Sequence, residues 1–367
     1  MTGVRTAPDT TAAPTVSIEQ ALREFLRARR AATDAVDPLF TEATFALEEF
    51  VLGGGKRIRP TFAWWGWCGA GGDPASPEAP AVTRAISALE LVQACALIHD
   101  DLMDSSATRR GRPTVHVAFA RRHTDAGWGG RPDAFGAAAA ILLGDLALAW
   151  ADDMLRSAGL PGPALLRVAE PWEAMRTEVL GGQYLDVLHQ ATGDRSVRAA
   201  LQIDRYKTAA YTVERPLHVG AAIAAAGPEL IRAYRMFGAD IGVAFQLRDD
   251  LLGVFGDPAV TGKPAGDDLR EGKRTLLLAV AAEAAASSGR QAALAVIDDA
   301  VGNADLDAQA LDRVRDLLLE LGAVRAVERR ISDLTDSGLD ALTAADIGEP
   351  ARQRLAELAV DAGRRMR

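Results

Sequence analysis

An apolar helical run over residues 81–98 ends in a cluster of charge, and this junction limits the possible folds most strongly. Three carboxylates, Asp100, Asp101 and Asp104, follow the run. On a helix, Asp100 and Asp104 lie one turn apart on the same face, and Asp101 lies beside them. Carboxylates this close repel one another unless a cation lies between them. The junction therefore predicts a helix whose end carries a cation site.

The residues beyond this cluster point to phosphate. Arg109, Arg110 and Arg112 follow it, and guanidinium groups bind phosphate oxygens in a bidentate manner. Mg²⁺ is commonly shared between carboxylates and substrate phosphates. A solvated helix end of mixed charge is the alternative interpretation. A second acidic pair, Asp249 and Asp250, follows another apolar run and favours metal and phosphate, because two facing helices can hold ions from both sides.

Composition favours helices over sheets: 49% of the 367 residues are hydrophobic, with abundant Ala and Leu, and only 5% are aromatic. No linker divides the chain, so we expect one all-α domain over residues 17–367 after a disordered tail over residues 1–16. The net charge of −9 argues against a nucleic-acid-binding surface. No charge-free apolar run is long enough to predict a membrane span. The two cysteines, Cys68 and Cys95, form no metal pattern, which predicts a reducing, cytoplasmic location.

Local signals predict several boundaries. Ser17 and Gln20 form a capping-box pattern that starts the first helix, and Asp37 before Pro38 starts the second. Residues 121–136 are polar and glycine-rich without periodicity, which predicts a loop.

A pair of glycines, Gly181 and Gly182, lies inside a helical segment. Each glycine costs about 1 kcal/mol relative to alanine in a helix interior. The pair therefore indicates close packing or a bend. Gln183 and Asp186 just beyond it lie on one helix face.

Lysine is rare, with four residues in the whole chain, and each lies in a phosphate-like context. Lys56 follows three glycines and precedes a helix start, as in an anion site at a helix N-terminus. Lys207 lies beside Thr208, and Lys263 and Lys273 lie where glycines, lysines and carboxylates alternate. A flexible loop and isolated surface charges are the alternatives. The shared context predicts an enzyme that joins two apolar diphosphates.

Six motifs between Gly53 and Thr275 resemble, in order, those of the trans-isoprenyl diphosphate synthases of the polyprenyl synthetase family. They are Gly-Gly-Gly-Lys-Arg-Ile-Arg-Pro, Asp-Asp-x-x-Asp with Arg-Arg-Gly, Gly144-Asp145, Gly-Gln-x-x-Asp at 182–186, Lys207-Thr208, and Phe-Gln-x-x-Asp-Asp with Gly-Lys. Each motif alone is weak, but the ordered set is specific.

The resemblance implies an all-α, single-domain helical bundle of the isoprenoid synthase type around a central apolar cavity, usually a homodimer. It implies a prenyltransferase that condenses isopentenyl diphosphate with dimethylallyl, geranyl or farnesyl diphosphate. Three Mg²⁺ ions would be bound together with substrate, and Mn²⁺ would substitute for them.

The resemblance also implies roles for individual residues. Mg²⁺ would be held by Asp100, Asp104 and Asp249, with Asp101 and Asp250 in support. The allylic diphosphate would be bound by Arg109, Lys207 and Lys263. Lys273 and Gln246 would also bind substrate. Isopentenyl diphosphate would be bound by Lys56, Arg59, Arg110 and Gln93. Thr208 and Gln246 would steady the allylic cation.

Two other classes of protein share part of this pattern. A class I terpene cyclase normally pairs its aspartate-rich helix end with an Asn/Asp-x-x-Ser/Thr-x-x-x-Glu pattern, which is absent after Asp249. A non-catalytic regulatory subunit tends to lose aspartates, and both pairs are intact here. One departure from the family pattern is Gly253, which stands where a third aspartate is common. Either Asp257 substitutes for it, or only two carboxylates act on that side.

Product length is predicted from the helix that precedes Asp100. Cys95 and Ala96 lie about one turn before it, where relatives that make farnesyl diphosphate commonly carry aromatic side chains. Small residues deepen the cavity by about one helical turn, about 5.4 Å, which is close to one isoprene unit. We therefore expect mainly geranylgeranyl diphosphate, with Val92, Leu89 or a neighbouring helix as the final floor. Farnesyl or longer products are the alternative.

Overall fold

The computed structural model describes residues 15–257 and 265–364, and these residues are almost entirely helical. The α-helices up to the middle of the chain are α1 (Thr15–Val36), α2 (Pro38–Leu52), α3 (Ile58–Gly69), α4 (Ala79–Met103), α5 (Val115–Asp125), α6 (Pro132–Arg156), α7 (Gly162–Thr192) and α8 (Val197–Ile203). A π-helix (Asp204–Glu214) leads into α9 (Arg215–Ile223), α10 (Pro228–Phe255), α11 (Asp267–Arg270), α12 (Leu276–Ser287), α13 (Gln291–Ala300), α14 (Ala308–Glu320), α15 (Ala323–Ala344) and α16 (Ala351–Arg364).

A short hairpin is the one β element of the described residues. Its strands, β1 (Thr108–Arg109) and β2 (Arg112–Pro113), pair antiparallel. The all-α prediction is therefore confirmed. The hairpin places the predicted phosphate-binding arginines in a tight turn directly after α4.

The predicted helix starts have different outcomes. Asp37 caps α2, because its carboxylate accepts a hydrogen bond of 2.8 Å from the Leu39 amide. The prediction for α1 is wrong, since the helix already begins at Thr15 and Ser17 lies inside it. Of the predicted disordered tail, residues 1–14 lie outside the described residues, and the last two residues belong to α1.

The predicted loop over residues 121–136 is also wrong in its extent. α5 continues to Asp125, and the connection to α6 covers only residues 126–131. Val115, Phe119 and His123 recur at four-residue spacing and are buried, which stabilises a helix across much of the polar segment. No residue of this segment lines the cavity described below.

The hydrophobic core surrounds α4, which packs against α3 and α6. Leu89, Leu91 and Ile98 of α4 are fully buried, and Trp64 and Trp67 of α3 pack with them. A second core forms between the end of α10 and helices α12, α14 and α15. Because α10 contributes side chains to both cores, it connects the two halves of the bundle.

Two helices, α4 and α6, are long and apolar enough by length and composition to cross a membrane. The most apolar window of α4 is 78% buried, as expected for the central helix of a core. That of α6 is only 39% buried, so α6 presents an apolar face at the surface of this chain.

Candidate active site

A cavity of about 630 Å³ lies between α4, α7, the π-helix and the second half of α10. Apolar side chains such as Leu97, Val179, Ile203 and Phe245 form part of its wall. Of the predicted site residues, the wall contains Lys56, Arg59, Gln93, Ala96, Asp100, Arg109, Arg110, Lys207, Thr208, Gln246, Asp249, Asp250 and Lys273. The fold thus brings both acidic motifs and both cationic sets to one cavity. Lys263 lies outside the described residues.

The first acidic cluster is held by cations from two directions. The Asp100 carboxylate lies 2.9 Å from Lys207 Nζ and 3.4 Å from an Arg109 guanidinium nitrogen. Asp101 is almost fully buried and pairs with Arg109 at 2.7 Å. Burial alone would raise the pKa of Asp100, but Lys207, Lys273 and Arg109 hold it below its usual value. Asp100 is therefore ionised in the folded protein.

The pKa of Asp104, one helical turn from Asp100, is shifted in the opposite direction. Its side chain is 5% exposed and its carboxylate lies 3.5 Å from Lys273 Nζ. Burial and the neighbouring Asp100 raise the pKa of Asp104 to about 6. Lys273 also pairs with Glu271 at 2.7 Å and with Asp268 at 3.4 Å, so its charge is shared among carboxylates from two segments.

The second acidic motif continues into a chain of hydrogen bonds. The Thr208 hydroxyl donates to Gln246 at 2.7 Å, and the Gln246 amide donates to Asp250 at 2.7 Å. Burial, together with the charges of Asp204 and Asp268, raises the pKa of Asp250 well above its usual value. Asp249 lies beside it on the cavity wall.

Two buried carboxylates that the sequence did not single out as ligands lie against this motif. Asp186 accepts a contact of 2.6 Å from Lys207 Nζ, so Lys207 bridges Asp186 and Asp100. Asp204 is 5% exposed, and burial and Asp186 raise its pKa to about 8. The Gly-Gln-x-x-Asp motif was a usable signal for Asp186, whereas no sequence pattern marks Asp204.

The close approach of α7 to the π-helix explains one glycine of the 181–182 pair. A Cβ atom at Gly182 would lie 2.2 Å from the Lys207 amide nitrogen, whereas one at Gly181 would meet nothing within 4 Å. The prediction of close packing is therefore confirmed for Gly182. Lys207 lies in a π-helical turn, a distortion that is often found at functional sites.

The departure at Gly253 has a steric explanation. A Cβ atom at this position would lie 2.0 Å from a carboxylate oxygen of Asp268. Asp268 therefore occupies the space that a side chain at position 253 would need, and it lines the cavity. Asp257 is exposed and lies beyond Gly256, the C-cap of α10. Asp268, and not Asp257, is the carboxylate that lies against Gly253.

The site fits divalent cations without being a preformed cage. Among residues 15–257 and 265–364, no three carboxylate, His or Cys side chains converge on one point. Lys207 and Lys273 lie between the carboxylates instead. One buried oxygen each of Asp104 and Asp250 has no hydrogen-bond partner, as expected for oxygens available to a hard cation.

The second cationic set also lies on the cavity wall. The Arg110 guanidinium donates to the Gly54 carbonyl at 2.7 Å, which connects the β1–β2 turn to the glycine loop. The Arg59 guanidinium donates to Thr212 at 2.9 Å and lies 4.0 Å from the centre of the Tyr211 ring. Lys56 is exposed at the mouth. Arg59 and Arg110 therefore bind Thr212 and the Gly54 carbonyl, as expected for a second anion site built apart from the acidic motifs.

Only one of the three residues predicted to set product length lies on the cavity wall. Ala96 lines the cavity, but Cys95 and Val92 do not. Cys95 is buried with its sulfur 3.8 Å from His99 Nδ1, and Val92 is 2% exposed in the core. The helical rotation of 100° per residue turns Cys95 away from the face that carries Ala96.

Comparison with known proteins agrees with this geometry. The family model described as polyprenyl synthetase matches residues 42–314. The chain belongs to the polyprenyl synthetase family. It is therefore a prenyltransferase of the prenyl diphosphate synthase class.

Individual relatives span several product lengths. The chain is 33% identical to geranylfarnesyl diphosphate synthase of Aeropyrum pernix, covering 85% of this chain and 90% of the relative. It is 34% identical to (2E,6E)-farnesyl diphosphate synthase of Mycobacterium tuberculosis, covering 84% and 79%. The crystal structure of geranylgeranyl pyrophosphate synthase from Corynebacterium glutamicum, complexed with isoprenyl diphosphate and magnesium, is 47% identical. That likeness covers 97% of this chain and 99% of the other, with a TM-score of 0.93.

Proposed function

We propose that this chain is a Mg²⁺-dependent synthase that condenses isopentenyl diphosphate with allylic diphosphates and makes mainly geranylgeranyl diphosphate. The observation that carries the proposal is the single cavity in which two acidic motifs and a separate cationic set surround an apolar wall. A reaction between two apolar diphosphates requires these three parts together.

In this proposal the allylic diphosphate binds between the end of α4 and the Asp249–Asp250 turn of α10. Lys207, Arg109 and Lys273 stabilise the negative charge that grows on the departing diphosphate. Thr208 and Gln246 present oxygen dipoles on the same wall, where they steady the allylic cation. The apolar wall excludes water, which would otherwise quench that cation.

Isopentenyl diphosphate binds at Lys56, Arg59 and Arg110, with Gln93 on the adjacent face of α4. Its double bond attacks the allylic cation and forms the new carbon–carbon bond. The proton lost from the isopentenyl unit then passes to the released diphosphate, which balances charge and atoms.

Asp100, Asp104, Asp249 and Asp250 would hold Mg²⁺, with Asp268 and Asp101 in support. Bound metal would supply further electrostatic stabilisation of the leaving diphosphate. We propose that three ions bind together with substrate and that Mn²⁺ can substitute for Mg²⁺. The magnesium in the Corynebacterium glutamicum complex supports it.

Product length is the finer part of the proposal. The small side chain of Ala96 on the cavity wall supports a product longer than farnesyl diphosphate. The 47% identity with a geranylgeranyl pyrophosphate synthase supports the same product length. The test is product analysis of the purified chain with Mg²⁺, isopentenyl diphosphate and each allylic starter in turn. A product that stops at farnesyl diphosphate would overturn the chain-length proposal. Failure to consume isopentenyl diphosphate would overturn the function itself.

We also propose a homodimer through the exposed apolar side chains of α6 and α7. Ile141 and Leu142 of α6 are 48% and 66% exposed, and Leu180 and Tyr184 of α7 are 52% and 66% exposed. Large apolar side chains exposed together in this number are typical of a protein–protein contact. Analytical ultracentrifugation tests the homodimer, and a monomer at micromolar concentration would refute it.

We also propose a reducing, cytoplasmic location, which the unpaired cysteines Cys68 and Cys95 support.

A further inference from the structure

A buried ion pair lies beneath the loop that carries the proposed isopentenyl diphosphate site. An Arg57 guanidinium nitrogen donates to a Glu90 carboxylate oxygen at 2.6 Å, and the two side chains are 2% and 3% exposed. A second guanidinium nitrogen of Arg57 lies 3.7 Å from Glu19, whose side chain is 40% exposed. Glu90 belongs to none of the motifs described above, and Arg57, which lies within the glycine-loop motif, has so far been given no role.

This pair is unlike one selected for stability alone. Removing two charges from water is costly, and their mutual attraction offsets that cost only when their remaining donors and acceptors are also hydrogen-bonded. Here Nε and Nη2 of Arg57 and Oε1 of Glu90 are buried without hydrogen-bond partners. An apolar pair of similar volume would serve the core at least as well.

The backbone at Arg57 indicates what the pair holds. Arg57 has φ 49° and ψ 40°, a left-handed conformation that is costly for a residue with a Cβ atom. It is the N-cap of α3, and its carbonyl accepts hydrogen bonds from the Thr61 amide and hydroxyl. Lys56 precedes Arg57 and Arg59 follows two residues later, so the conformation of this one residue sets where both cations lie.

Charge gives the pair a second effect on the same site. Lys56, Arg57, Arg59 and Arg110 all line the cavity and repel one another when no anion is bound. Burial and the charges of Arg109 and Arg57 lower the pKa of Arg110, whereas Glu90 acts in the opposite direction. Glu90 therefore reduces the repulsion within the set while it fixes Arg57 to α4.

We propose that Glu90 is a positioning residue of the isopentenyl diphosphate site, which acts through Arg57 to hold the glycine loop so that Lys56 and Arg59 face the second substrate. This inference rests on the function proposed above and deepens it. Glu90 does not touch substrate in this scheme, and the allylic site does not depend on it.

The experiment measures KM for each substrate and kcat in Glu90→Gln, which preserves side-chain shape and removes the charge. We expect KM for isopentenyl diphosphate to rise at least tenfold, while KM for the allylic diphosphate and kcat stay within about threefold of wild type. Glu19→Gln is the matched control, because it removes the exposed carboxylate near the same guanidinium. It should stay within twofold in every constant.

The opposite result is informative because removal of a negative charge would by itself strengthen the binding of an anion. An unchanged or lower KM for isopentenyl diphosphate in Glu90→Gln would therefore overturn the proposal. If that variant does not fold, Arg57→Met combined with Glu90→Leu removes both charges without leaving one unpaired. This double variant should show the same rise in KM, and a wild-type KM would overturn the proposal. Inactivity of the wild-type chain would instead count against the proposed function.

Discussion

Replacing Gly182 by alanine tests whether the close approach of α7 and the π-helix positions Lys207. The new Cβ atom would lie 2.2 Å from the Lys207 amide nitrogen and 2.6 Å from its Cα atom. To reach an ordinary contact of 3.4 Å, the two helices must move apart by about 1.2 Å. Lys207 Nζ now lies 2.6 Å from Asp186 and 2.9 Å from Asp100, so a shift of this size lengthens and weakens at least one of these ion pairs.

Two opposing effects set the stability of Gly182→Ala. Overpacking typically destabilises a protein by about 1–3 kcal/mol, whereas the higher helix propensity of alanine stabilises a helix interior by about 1 kcal/mol. We therefore expect a net loss of about 0–2 kcal/mol in the free energy of unfolding, so the variant folds. Activity should suffer more, because misplacement of a catalytic group by about 1 Å can cost about 100-fold in rate.

The assay combines urea denaturation with kcat/KM for the allylic diphosphate. The control is Gly162→Ala at the start of the same helix, where a Cβ atom would meet nothing within 4 Å. This control should keep wild-type activity and stability. If Gly182→Ala retains kcat/KM within threefold of the control, the packing at Gly182 does not position Lys207 and the reasoning is refuted.

Further substitutions test other residues of the same cavity. Ala96→Phe should shorten the main product by at least one isoprene unit, measured by chromatography of the dephosphorylated products; an unchanged product would show that this face of α4 does not limit the chain. Gly253→Ala should displace Asp268, and Asp268→Asn should remove its charge. Each substitution should raise the Mg²⁺ concentration needed for half-maximal activity severalfold. An unchanged Mg²⁺ requirement in both variants would show that Asp268 has no part in metal binding. The pKa of Asp204 is raised from 3.8 to about 8, so the native state keeps this proton while the unfolded chain loses it, and stability falls as pH rises through that window. Asp204→Asn should therefore raise the melting temperature of the metal-free protein more at pH 8 than at pH 5, as measured by calorimetry in EDTA; equal shifts would contradict the assigned burial.

The sequence by itself determined the helical class, the family and most of the chemical groups of the site. These features are local: an apolar run that ends in Asp100 and Asp104, a glycine triplet before Lys56, and rare lysines beside phosphate-type motifs. The apolar run over residues 81–98 also agrees with the burial of α4. Where the sequence failed locally, at Ser17 and over residues 121–136, weak boundary signals were overridden by helix packing.

Only the tertiary structure decided which groups act together. Contacts between residues far apart in sequence, such as Lys207 with both Asp100 and Asp186, depend on how the helices pack. Packing also gave Gly253 its explanation, since the space it leaves is filled by Asp268 from a later segment. The same holds for Glu90, which reads as an ordinary charge within an apolar run but is buried against Arg57. A sequence specifies which side chains exist and how they recur, whereas burial and pairing depend on the distances that the folded bundle sets.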